Sequence, residues 1–538
     1  MEKKRSNTTN KTIIKTLKLA NPISQNIIVL TLLSLCLIPL SALHKPPPLP
    51  ILPLPSSSQL QWQLSSMALF LHFGINTFTD SEWGSGHADP SVFNPVGLNA
   101  SQWVQVAKEA GFNRVILTAK HHDGFCLWPS EYTEYSVKFA EWRNGIGDVV
   151  AELAVAAKEA GVALGLYLSP WDRHEPCYGK TLEYNEFYMG QMTELLTRYG
   201  EIREVWLDGA KGEGEKDMEY FFDSWFSLIH QLQPGAVIFS DAGPDTRWIG
   251  DEAGVASSTC WSLFNRSAAT IGGTDPQYSQ GGDPRGHDWV PAECDVSIRP
   301  GWFWHASEAP KSALKLLDIY YQSVGRNCLL LLNVPPNSSG LISAEDIQVL
   351  KEFSELRSSI FSCNLAENAV VSASSTRGGT NESRFNPHNV LKEGIYSYWA
   401  PEENQTQWVL FLDLQEPVSF NVLQIQEPIH MGQRVIKFHL DILNEGKWKK
   451  LINGTTVGYQ RLLQFPTIKT QQLRLVVDKS RADPLISYLG LFMDPFSVVS
   501  NMSDTSSPPS DTQIIRQIVG KKWQLLVSSW NSLSIFDV

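Results

Sequence analysis

An apolar strand that ends on a polar residue and is followed by a helix recurs along this chain between residues 60 and 360. The clearest case is Asp208, which directly follows the apolar run 205–207. A carboxylate at the end of a buried strand is costly unless something pairs with it. The same pattern places His72, His121, His122, Tyr167 and Asn333 at the ends of other predicted strands. In a barrel of parallel strands these ends meet on one face, where barrel proteins carry their chemistry.

Helical segments alternate with these strands, and each has apolar residues at i, i+3 and i+4 spacing. Most of them end in Gly or Pro, which stop a helix. Six strands are clear, at residues 67–73, 114–119, 163–169, 203–207, 236–240 and 328–334, and two more are expected around residues 257–261 and 293–298. This alternation predicts an α/β fold, a (β/α)8-like barrel of the TIM type, over residues 60–360.

The pattern changes at about residue 364, where long helical segments give way to short alternating runs separated by Gly, Pro and Asn. Such runs are typical of an all-β sandwich with a jelly-roll character, which we assign to residues 361–498. Residues 46–59 are rich in proline and are expected to form a spacer with no packing partners. Residues 499–538 form a tail to which the sequence assigns no fold.

The first 45 residues are typical of a targeting segment, because a basic stretch precedes an apolar run at residues 27–43. That run is short for a membrane span, which needs about 20 residues. A cleaved signal peptide is therefore favoured, with an uncleaved signal-anchor as the alternative. Sequons begin at Asn99, Asn265, Asn337, Asn381, Asn404, Asn453 and Asn501. Together these features predict a glycosylated, secreted, extracellular protein (apoplastic in a plant), with no membrane contact once the signal is removed.

Charge and cysteine content narrow the class of partner and the redox setting. The net charge of −12 argues against nucleic acid and anionic membrane surfaces as partners. Six of the 7 cysteines lie beyond the targeting segment, an even number that is compatible with disulfides, although the sequence leaves their pairing open. No CxxC spacing occurs, so a zinc knuckle is not expected.

Asp208 needs a second carboxylate for acid/base or nucleophilic work, and the best candidate is Glu252 in WIGDEAG. Its neighbour Asp251 is the alternative. Glu252 follows the predicted strand 236–240, so it is expected on a loop at the same end of the barrel. Two carboxylates roughly 5–5.5 Å apart fit retaining glycoside hydrolysis, in which one attacks the anomeric carbon and the other protonates the leaving oxygen.

The motif KHHDGF places two histidines side by side. Adjacent side chains on a strand point in opposite directions, so both rings face one cavity only if the strand end is bent. Gly124 permits such a bend. Binding of sugar hydroxyls is the favoured role. Metal ligation by His121, His122 or Asp123, with His72, is the alternative, but no HxH or HExxH spacing supports it. No metal is therefore expected.

Further polar and aromatic residues follow predicted strands: Glu82 and Trp83 in SEWG, and Arg299 in RPGWFWH. In chain order, LHFG, SEWG, KHHDGF, GLYLSPWDRH, VWLDGA, GDEAG, RPGWFWH and LLNVPPN resemble the α-L-fucosidases of glycoside hydrolase family 29, plant members above all. The resemblance covers about residues 60–360. The segment 361–498 resembles a discoidin-like (F5/8 type C) module.

The resemblance implies a retaining exo-α-L-fucosidase that uses no cofactor, with Asp208 as the nucleophile and Glu252 as the acid/base. It also implies that His72, Glu82, Trp83, His121, His122, Tyr167, Trp206 and Arg299 hold the fucose. The GDEAG context resembles members that remove α-1,3- and α-1,4-linked fucose, so fucosylated oligosaccharides and N-glycans are the expected substrates. A non-catalytic fucose- or glycan-binding protein and a metal-dependent barrel hydrolase remain as alternatives.

Overall fold

The computed structural model describes residues 45–209, 211, 215–379 and 382–497. The targeting segment up to residue 44 and the tail 499–538 lie outside these ranges, so the predictions made for them stay predictions. No helix within the described ranges is both long enough and apolar enough to cross a membrane.

Eight parallel strands of the described chain close into a barrel in the order β1-β10-β9-β6-β5-β4-β3-β2. They are β1 (Met67–Leu71), β2 (Arg114–Lys120), β3 (Ala163–Leu168), β4 (Glu204–Trp206), β5 (Val237–Ser240), β6 (Thr246–Trp248), β9 (Ala292–Ser297) and β10 (Leu329–Asn333). A short separate ribbon pairs β7 (Leu263–Phe264) with β8 (Asp288–Trp289). The predicted α/β barrel is confirmed.

Helices connect most of these strands, and their bounds are α1 (Ser57–Leu64), α2 (Asn76–Thr79), α3 (Ala100–Glu109), α4 (Val149–Ala160), α5 (Thr181–Arg198), α6 (Phe222–Leu232), α7 (Pro276–Gly281), α8 (Ala313–Gln322) and α9 (Ala344–Phe361). Polar side chains stop several of them from fraying at the start. Asn99 accepts from the backbone of Gln102 at 3.0 Å, and Asp148 accepts from that of Ala151 at 2.8 Å. Helix α1 lies partly in the expected spacer and was not predicted.

Side-chain alternation along the strands divides the core in two. Phe70, Ile116, Tyr167, Trp206, Phe239 and Leu331 fill the barrel interior. Their strand neighbours, such as Leu69 and Val115, pack outwards against the helices. Phe70 of β1 points inwards, and His72 follows it by two residues. His72 therefore points to the same side and lies at the carboxyl end of the interior. The strand pattern thus directs this histidine towards the same end as Asp208.

The structure corrects one of the two additional strands. Residues 292–297 are a barrel strand as expected, but the remaining strand is Thr246–Trp248, and residues 257–261 are irregular. The fully buried Arg247 sits in this strand, and its guanidinium donates to the carbonyl oxygens of Ser279 and Trp261, each at 2.9 Å. A strand of three residues built around a buried arginine lacks the apolar run that sequence periodicity detects.

The C-terminal region is an antiparallel sheet with its own hydrophobic core. Its strands are β11 (Val370–Ala373), β12 (Trp408–Gln426), β13 (Val435–Asn444), β14 (Lys447–Gly454), β15 (Arg461–Ser480) and β16 (Tyr488–Phe492), in the order β11-β12-β15-β13-β14 with β16 on β12. The predicted all-β character is confirmed, while the likeness to a discoidin module stays a prediction. No residue of this sheet lines the cavity described below.

The proline-rich segment is not the unpacked spacer that the sequence predicted. Its described part, from residue 45, lies along the C-terminal sheet. Arginine side chains of that region donate to its carbonyl oxygens: Arg377 to Pro46 at 2.7 Å, Arg434 to Leu49 at 2.6 Å and Arg481 to Leu52 at 3.0 Å. Proline removes backbone donors but leaves the carbonyl acceptors, so such a segment is a good partner for arginine. The proline content of the segment reveals only that backbone N–H donors are missing and says nothing about the carbonyl acceptors that remain.

One disulfide joins Cys294 to Cys328 and thereby ties β9 to the start of β10. In the described part of the chain Cys126, Cys177, Cys260 and Cys363 are free thiols. The sequence had left this pairing open.

Two acidic side chains meet at the amino end of the barrel interior. Glu204 begins β4 and Glu293 lies in β9, and both are fully buried. The Arg114 Nη1 atom lies 3.3 Å from Glu204 Oε2, so Glu204 has a partner for its charge. Burial, and then the charge of Glu204, raise the pKa of Glu293 well above its ordinary value. Glu293 is therefore the member of the pair that holds a proton.

Substitution of Glu293 by Gln should remove a pH-dependent cost of folding. Above the ordinary Glu pKa of about 4.3 and below the raised folded-state pKa, the folded chain keeps a proton that the unfolded chain has lost, so wild-type stability falls as pH rises. Gln is neutral throughout and has the same shape. The relative stability of Glu293→Gln should therefore grow by up to about 1.4 kcal/mol per pH unit in that window.

Thermal unfolding followed from about pH 5 to about pH 8 measures this trend. The exposed Glu355→Gln is the matched control, and its Tm difference from wild type should stay constant. A Tm difference for Glu293→Gln that is equally independent of pH would contradict the buried acid pair.

Candidate active site

A cavity of about 320 Å³ opens at the carboxyl ends of the barrel strands. Most of the residues that the sequence assigned to a site line it, namely His72, Glu82, Trp83, His121, His122, Trp206, Asp208 and Glu252. Tyr167 is fully buried and Arg299 lies elsewhere, so neither belongs to the lining. The barrel thus gathers residues that are up to 180 positions apart in the sequence, from His72 to Glu252.

Asp208 follows β4 and lies beside groups at the ends of β3 and β2. The Tyr167 hydroxyl donates to Asp208 Oδ2 at 3.0 Å, and His122 Nε2 lies 3.6 Å from the same oxygen. Tyr167 is itself fixed by stacking on Trp206, with ring centroids 5.4 Å apart. Tyr167 therefore acts on the carboxylate of Asp208 from behind the cavity wall.

Glu252 lies on the loop after β6 and reaches the same cavity. Trp302 Nε1 donates to Glu252 Oε2 at 3.2 Å. Partial burial in the cavity wall raises the pKa of Glu252, and the charges of Asp208 and Glu82 raise it further against the opposing effect of Trp302. A raised pKa is the condition for a carboxyl group that must deliver a proton near neutral pH.

Asp251, the alternative to Glu252, shapes the loop and is not part of the cavity lining. Its Oδ1 accepts from the backbone of Ala253 and its Oδ2 from Gln280 Nε2, both at 2.9 Å. Ala253 also pairs with Val296 of β9, which fixes the loop to the barrel. Gly254 has a φ of +71°, and a Cβ there would lie 2.8 Å from a methyl of Val296, so this close approach requires glycine.

His72 is neutral, and its hydrogen bonds fix which nitrogen carries the proton. Asn333 Nδ2 donates to the carbonyl oxygen of Trp302 at 2.8 Å, so Asn333 Oδ1 must be the acceptor on its other side. His72 Nδ1 lies 2.9 Å from that Oδ1 and therefore carries the proton. Burial lowers the pKa of His72 to about 3. Its Nε2 is left as an acceptor, which suits a hydroxyl donor.

His122 is held in the same tautomer by a different chain of hydrogen bonds. The Ser169 hydroxyl donates to the Trp171 carbonyl at 2.6 Å, so Ser169 Oγ accepts from His122 Nδ1 at 2.7 Å. Burial lowers the pKa of His122, although the charge of Asp208 opposes this. The neutral ring presents Nε2, an acceptor, towards the carboxylate of Asp208.

The two adjacent histidines share one cavity because the strand end is distorted. The pairing of β2 with β3 shifts register between Thr118 and Lys120, and Gly124 has a φ of +88°. His121 then lies against His122 with ring centroids 4.1 Å apart. The bend that the sequence analysis required is present, and the register shift adds to the glycine that was expected to provide it.

Glu82 supports the loop that follows β9, in addition to lining the cavity. Its Oε2 accepts from the backbone of Trp302 at 2.8 Å, and its Oε1 lies 2.7 Å from His305 Nε2. His305 Nδ1 lies 2.6 Å from Asp80 Oδ1. Burial lowers the pKa of His305, but the bonds to Asp80 and Glu82 outweigh burial and raise it. The protonated His305 thus links two carboxylates and holds Trp302 in place.

The amino-acid sequence that forms this cavity is similar to those of known proteins. A family model described as alpha-L-fucosidase matches residues 75–357. Alpha-L-fucosidase 1 of Arabidopsis thaliana is 74% identical over 460 residues, which cover 85% of this chain and 91% of that protein. The chain belongs to the α-L-fucosidase family. It is a glycoside hydrolase, so the prediction of an enzyme is confirmed and the non-catalytic alternative is set aside.

Solved structures agree with this membership. The crystal structure of SpGH29 has a TM-score of 0.80 and 41% identity, covering 84% of this chain and 100% of that one. A Ruminococcus gnavus GH29 fucosidase in complex with fucose has a TM-score of 0.77 and 34% identity, covering 84% and 97% of the two chains. The similarity therefore extends through both the barrel and the C-terminal sheet of this fucosidase.

Arg299 is not among the residues that line the cavity, and its expected role in holding fucose stays a prediction. It is buried, and its Nε donates to Asp346 Oδ2 of α9 at 3.0 Å. A second donor group of its guanidinium binds the carbonyl oxygen of Glu308 at 2.5 Å. In this fucosidase Arg299 thus supports the loop that carries Trp302, and its contacts do not place it in the cavity.

Two carboxyls that sequence reasoning missed also line the cavity, Asp241 and Asp295. Asp241 Oδ2 accepts from the backbone of Gly272 at 2.8 Å, which fixes another part of the rim. Asp295 lies within β9 and is almost completely buried. The available signal is an aspartate near the end of a predicted strand, as at Asp208.

Within the described ranges, no group of three or more His, Cys, Asp and Glu side chains is arranged to hold a metal ion. His72 and His122 each use one ring nitrogen for a bond to a neighbouring side chain.

Proposed function

We propose that this fucosidase is a retaining exo-enzyme that removes terminal α-1,3- and α-1,4-linked fucose through a covalent fucosyl-enzyme intermediate, using no cofactor. The observation that carries the proposal is that Asp208 and Glu252 line one cavity in different surroundings. Asp208 accepts hydrogen bonds, whereas the pKa of Glu252 is raised. Retaining hydrolysis needs this division between a charged nucleophile and a protonated acid.

In the first step Asp208 attacks the anomeric carbon and forms an ester with the sugar. The bond from that carbon to the leaving oxygen breaks, and Glu252 gives its proton to that oxygen. The hydroxyl of Tyr167 orients the Asp208 carboxylate, because it donates to Oδ2 at 3.0 Å.

In the second step Glu252, now a carboxylate, takes a proton from water as that water attacks the anomeric carbon. The ester bond breaks and Asp208 is released as a carboxylate. In both steps the neutral His72 and His122 accept hydrogen bonds from sugar hydroxyls at their Nε2 atoms, and the indole of Trp83, which is 50% exposed, offers a face for stacking.

The substrates we propose are fucosylated oligosaccharides and N-glycans with fucose on GlcNAc. The loop that carries Glu252 forms one wall of the cavity, next to Trp248 at the end of β6. Because the acid must reach the glycosidic oxygen from this loop, the same loop contacts the sugar that leaves. We further propose that the mature protein is secreted and glycosylated, which rests on the sequence of the N-terminal segment and the sequons.

Substitution of Asp208 by Asn should lower kcat on an aryl fucoside by roughly 10³-fold or more, because the amide cannot form the ester. The Tm should stay close to that of wild type, since Tyr167 can still donate to the amide oxygen. A fluorinated fucosyl trap followed by peptide mass spectrometry should label Asp208 in the wild type. Labelling of Asp241 or Asp295 would identify a different nucleophile.

Substitution of Glu252 by Ala should harm substrates with poor leaving groups far more than aryl fucosides with good ones, because only the former need protonation. Added azide should restore turnover on the good leaving groups by replacing the activated water. Asp251→Asn is the matched control and should show neither effect, since its carbonyl can still accept from Ala253. Equal losses on both substrate types, without azide rescue, would assign the acid to another residue.

Lewis-type trisaccharides should be cleaved faster than α-1,2-fucosyl-galactose. An acceptor that leaves polar groups of the loop unpaired can lose about a thousandfold or more in kcat/KM. Release of fucose from oligosaccharides that differ only in linkage measures this preference. Equal kcat/KM values on the α-1,2 and α-1,4 linkages would remove the proposed linkage specificity while leaving the retaining mechanism intact.

A further inference from the structure

Asp295 is a carboxyl group of the cavity for which the two-carboxylate mechanism has no use. It lies in β9, on the inside of the barrel, and only 4% of its surface is exposed. It nevertheless lines the cavity together with Asp208 and Glu252. Burying a further acidic side chain in this cavity costs free energy unless the side chain is hydrogen-bonded or neutral. Its position therefore calls for a role.

The bond that Asp295 makes distinguishes its two oxygens. Trp248 Nε1 lies 2.9 Å from Asp295 Oδ1. An indole N–H can only donate, so Oδ1 can only accept in this bond. Among the described residues, no other side chain is hydrogen-bonded to the Asp295 carboxyl. Oδ2 is therefore the oxygen that Asp295 has available for a group in the cavity.

The charges around Asp295 favour its neutral form. Burial raises the pKa of Asp295 well above its ordinary value, and the charges of Glu252 and Asp208 raise it further. Because Oδ1 accepts from Trp248, the proton of the neutral acid belongs on Oδ2.

Two of the histidines that line the cavity offer it only hydrogen-bond acceptors. His72 and His122 are neutral, and both present an unprotonated Nε2 that can only accept. A sugar hydroxyl that gives its proton to one of these nitrogens still has oxygen lone pairs to satisfy. A protonated carboxyl on β9, which is separated from β1 only by β10, supplies a matching donor.

We propose that Asp295 binds the substrate as a neutral carboxylic acid, donating a hydrogen bond from Oδ2 to a hydroxyl oxygen of the sugar in the cavity. The proposal rests on the proposed function, since it takes the sugar to occupy the cavity beside Asp208. It makes Asp295 a substrate-binding residue and gives it no part in the proton transfer assigned to Glu252.

The pair of variants Asp295→Asn and Asp295→Ala tests this role. In Asp295→Asn the amide oxygen accepts from Trp248, so the NH₂ group takes the place of the Oδ2 hydroxyl and donates into the cavity. Its kcat/KM on an aryl fucoside, and the Ki of free fucose, should stay within about threefold of wild type. Asp295→Ala loses the donor, and both constants should worsen by about 10- to 100-fold.

The pH profile of kcat/KM separates a neutral donor from a charged group. Asp295→Asn should leave both limbs of the profile where they are in the wild type, because it replaces one neutral donor by another. Displaced limbs, or an Asn variant as impaired as the Ala variant, would show that Asp295 acts through its charge or its proton and would overturn the proposal. Unchanged constants in both variants would overturn it as well.

Failure of the proposal can be told from failure of the proposed function and from misfolding. Trapping at Asp208 in the wild type reports on the mechanism independently of Asp295. If Asp295→Ala does not fold, as judged by its Tm, then Asp295→Leu, which fills the space without a donor, takes its place in the comparison with Asp295→Asn. Retention of fucose binding by the Leu variant would count against the hydrogen bond.

Discussion

The alternation of side chains along strands that close into a barrel is the constraint on which the rest of this structure depends. Inward-facing residues such as Phe70 and Leu331 fill the interior, and an open cavity for polar groups forms at the carboxyl ends. A residue two positions beyond an inward-facing one is carried to that end, as His72 is beyond Phe70. Strand ends that are remote in the sequence thereby enclose one cavity.

Within the cavity, groups that can only accept a hydrogen bond determine which nitrogen of each histidine carries the proton. The carbonyl oxygens of Trp302 and Trp171 can only accept, and through Asn333 and Ser169 they place the protons of His72 and His122 on Nδ1. Burial lowers the pKa of both rings. The result is a set of neutral acceptors on one arc and acidic groups on the other, which suits a neutral polyol better than an ion.

The C-terminal sheet supports the barrel from the end that is remote from the cavity. The backbone N–H of Tyr459 donates to Asn327 Oδ1 at 2.9 Å and its hydroxyl donates to the Cys328 carbonyl at 3.0 Å, just before β10 begins. The proline-rich segment, which leads into α1, is bound to this sheet by the hydrogen bonds from Arg434 and Arg481. These contacts fix the amino ends of strands whose carboxyl ends form the cavity.

The sequence by itself determined the barrel, the all-β C-terminal region and eight of the residues that line the cavity, because apolar periodicity and polar strand ends are local features. It could not supply strand β6, where a buried Arg247 hides the strand, or the packing of the proline-rich segment, whose carbonyls find distant arginines. Only the tertiary structure decided that Arg299 binds Asp346, that Asp251 shapes a loop and that Asp295 reaches the cavity. Those outcomes depend on contacts between residues far apart in the chain. A local sequence pattern does not determine which distant residue a polar side chain will contact.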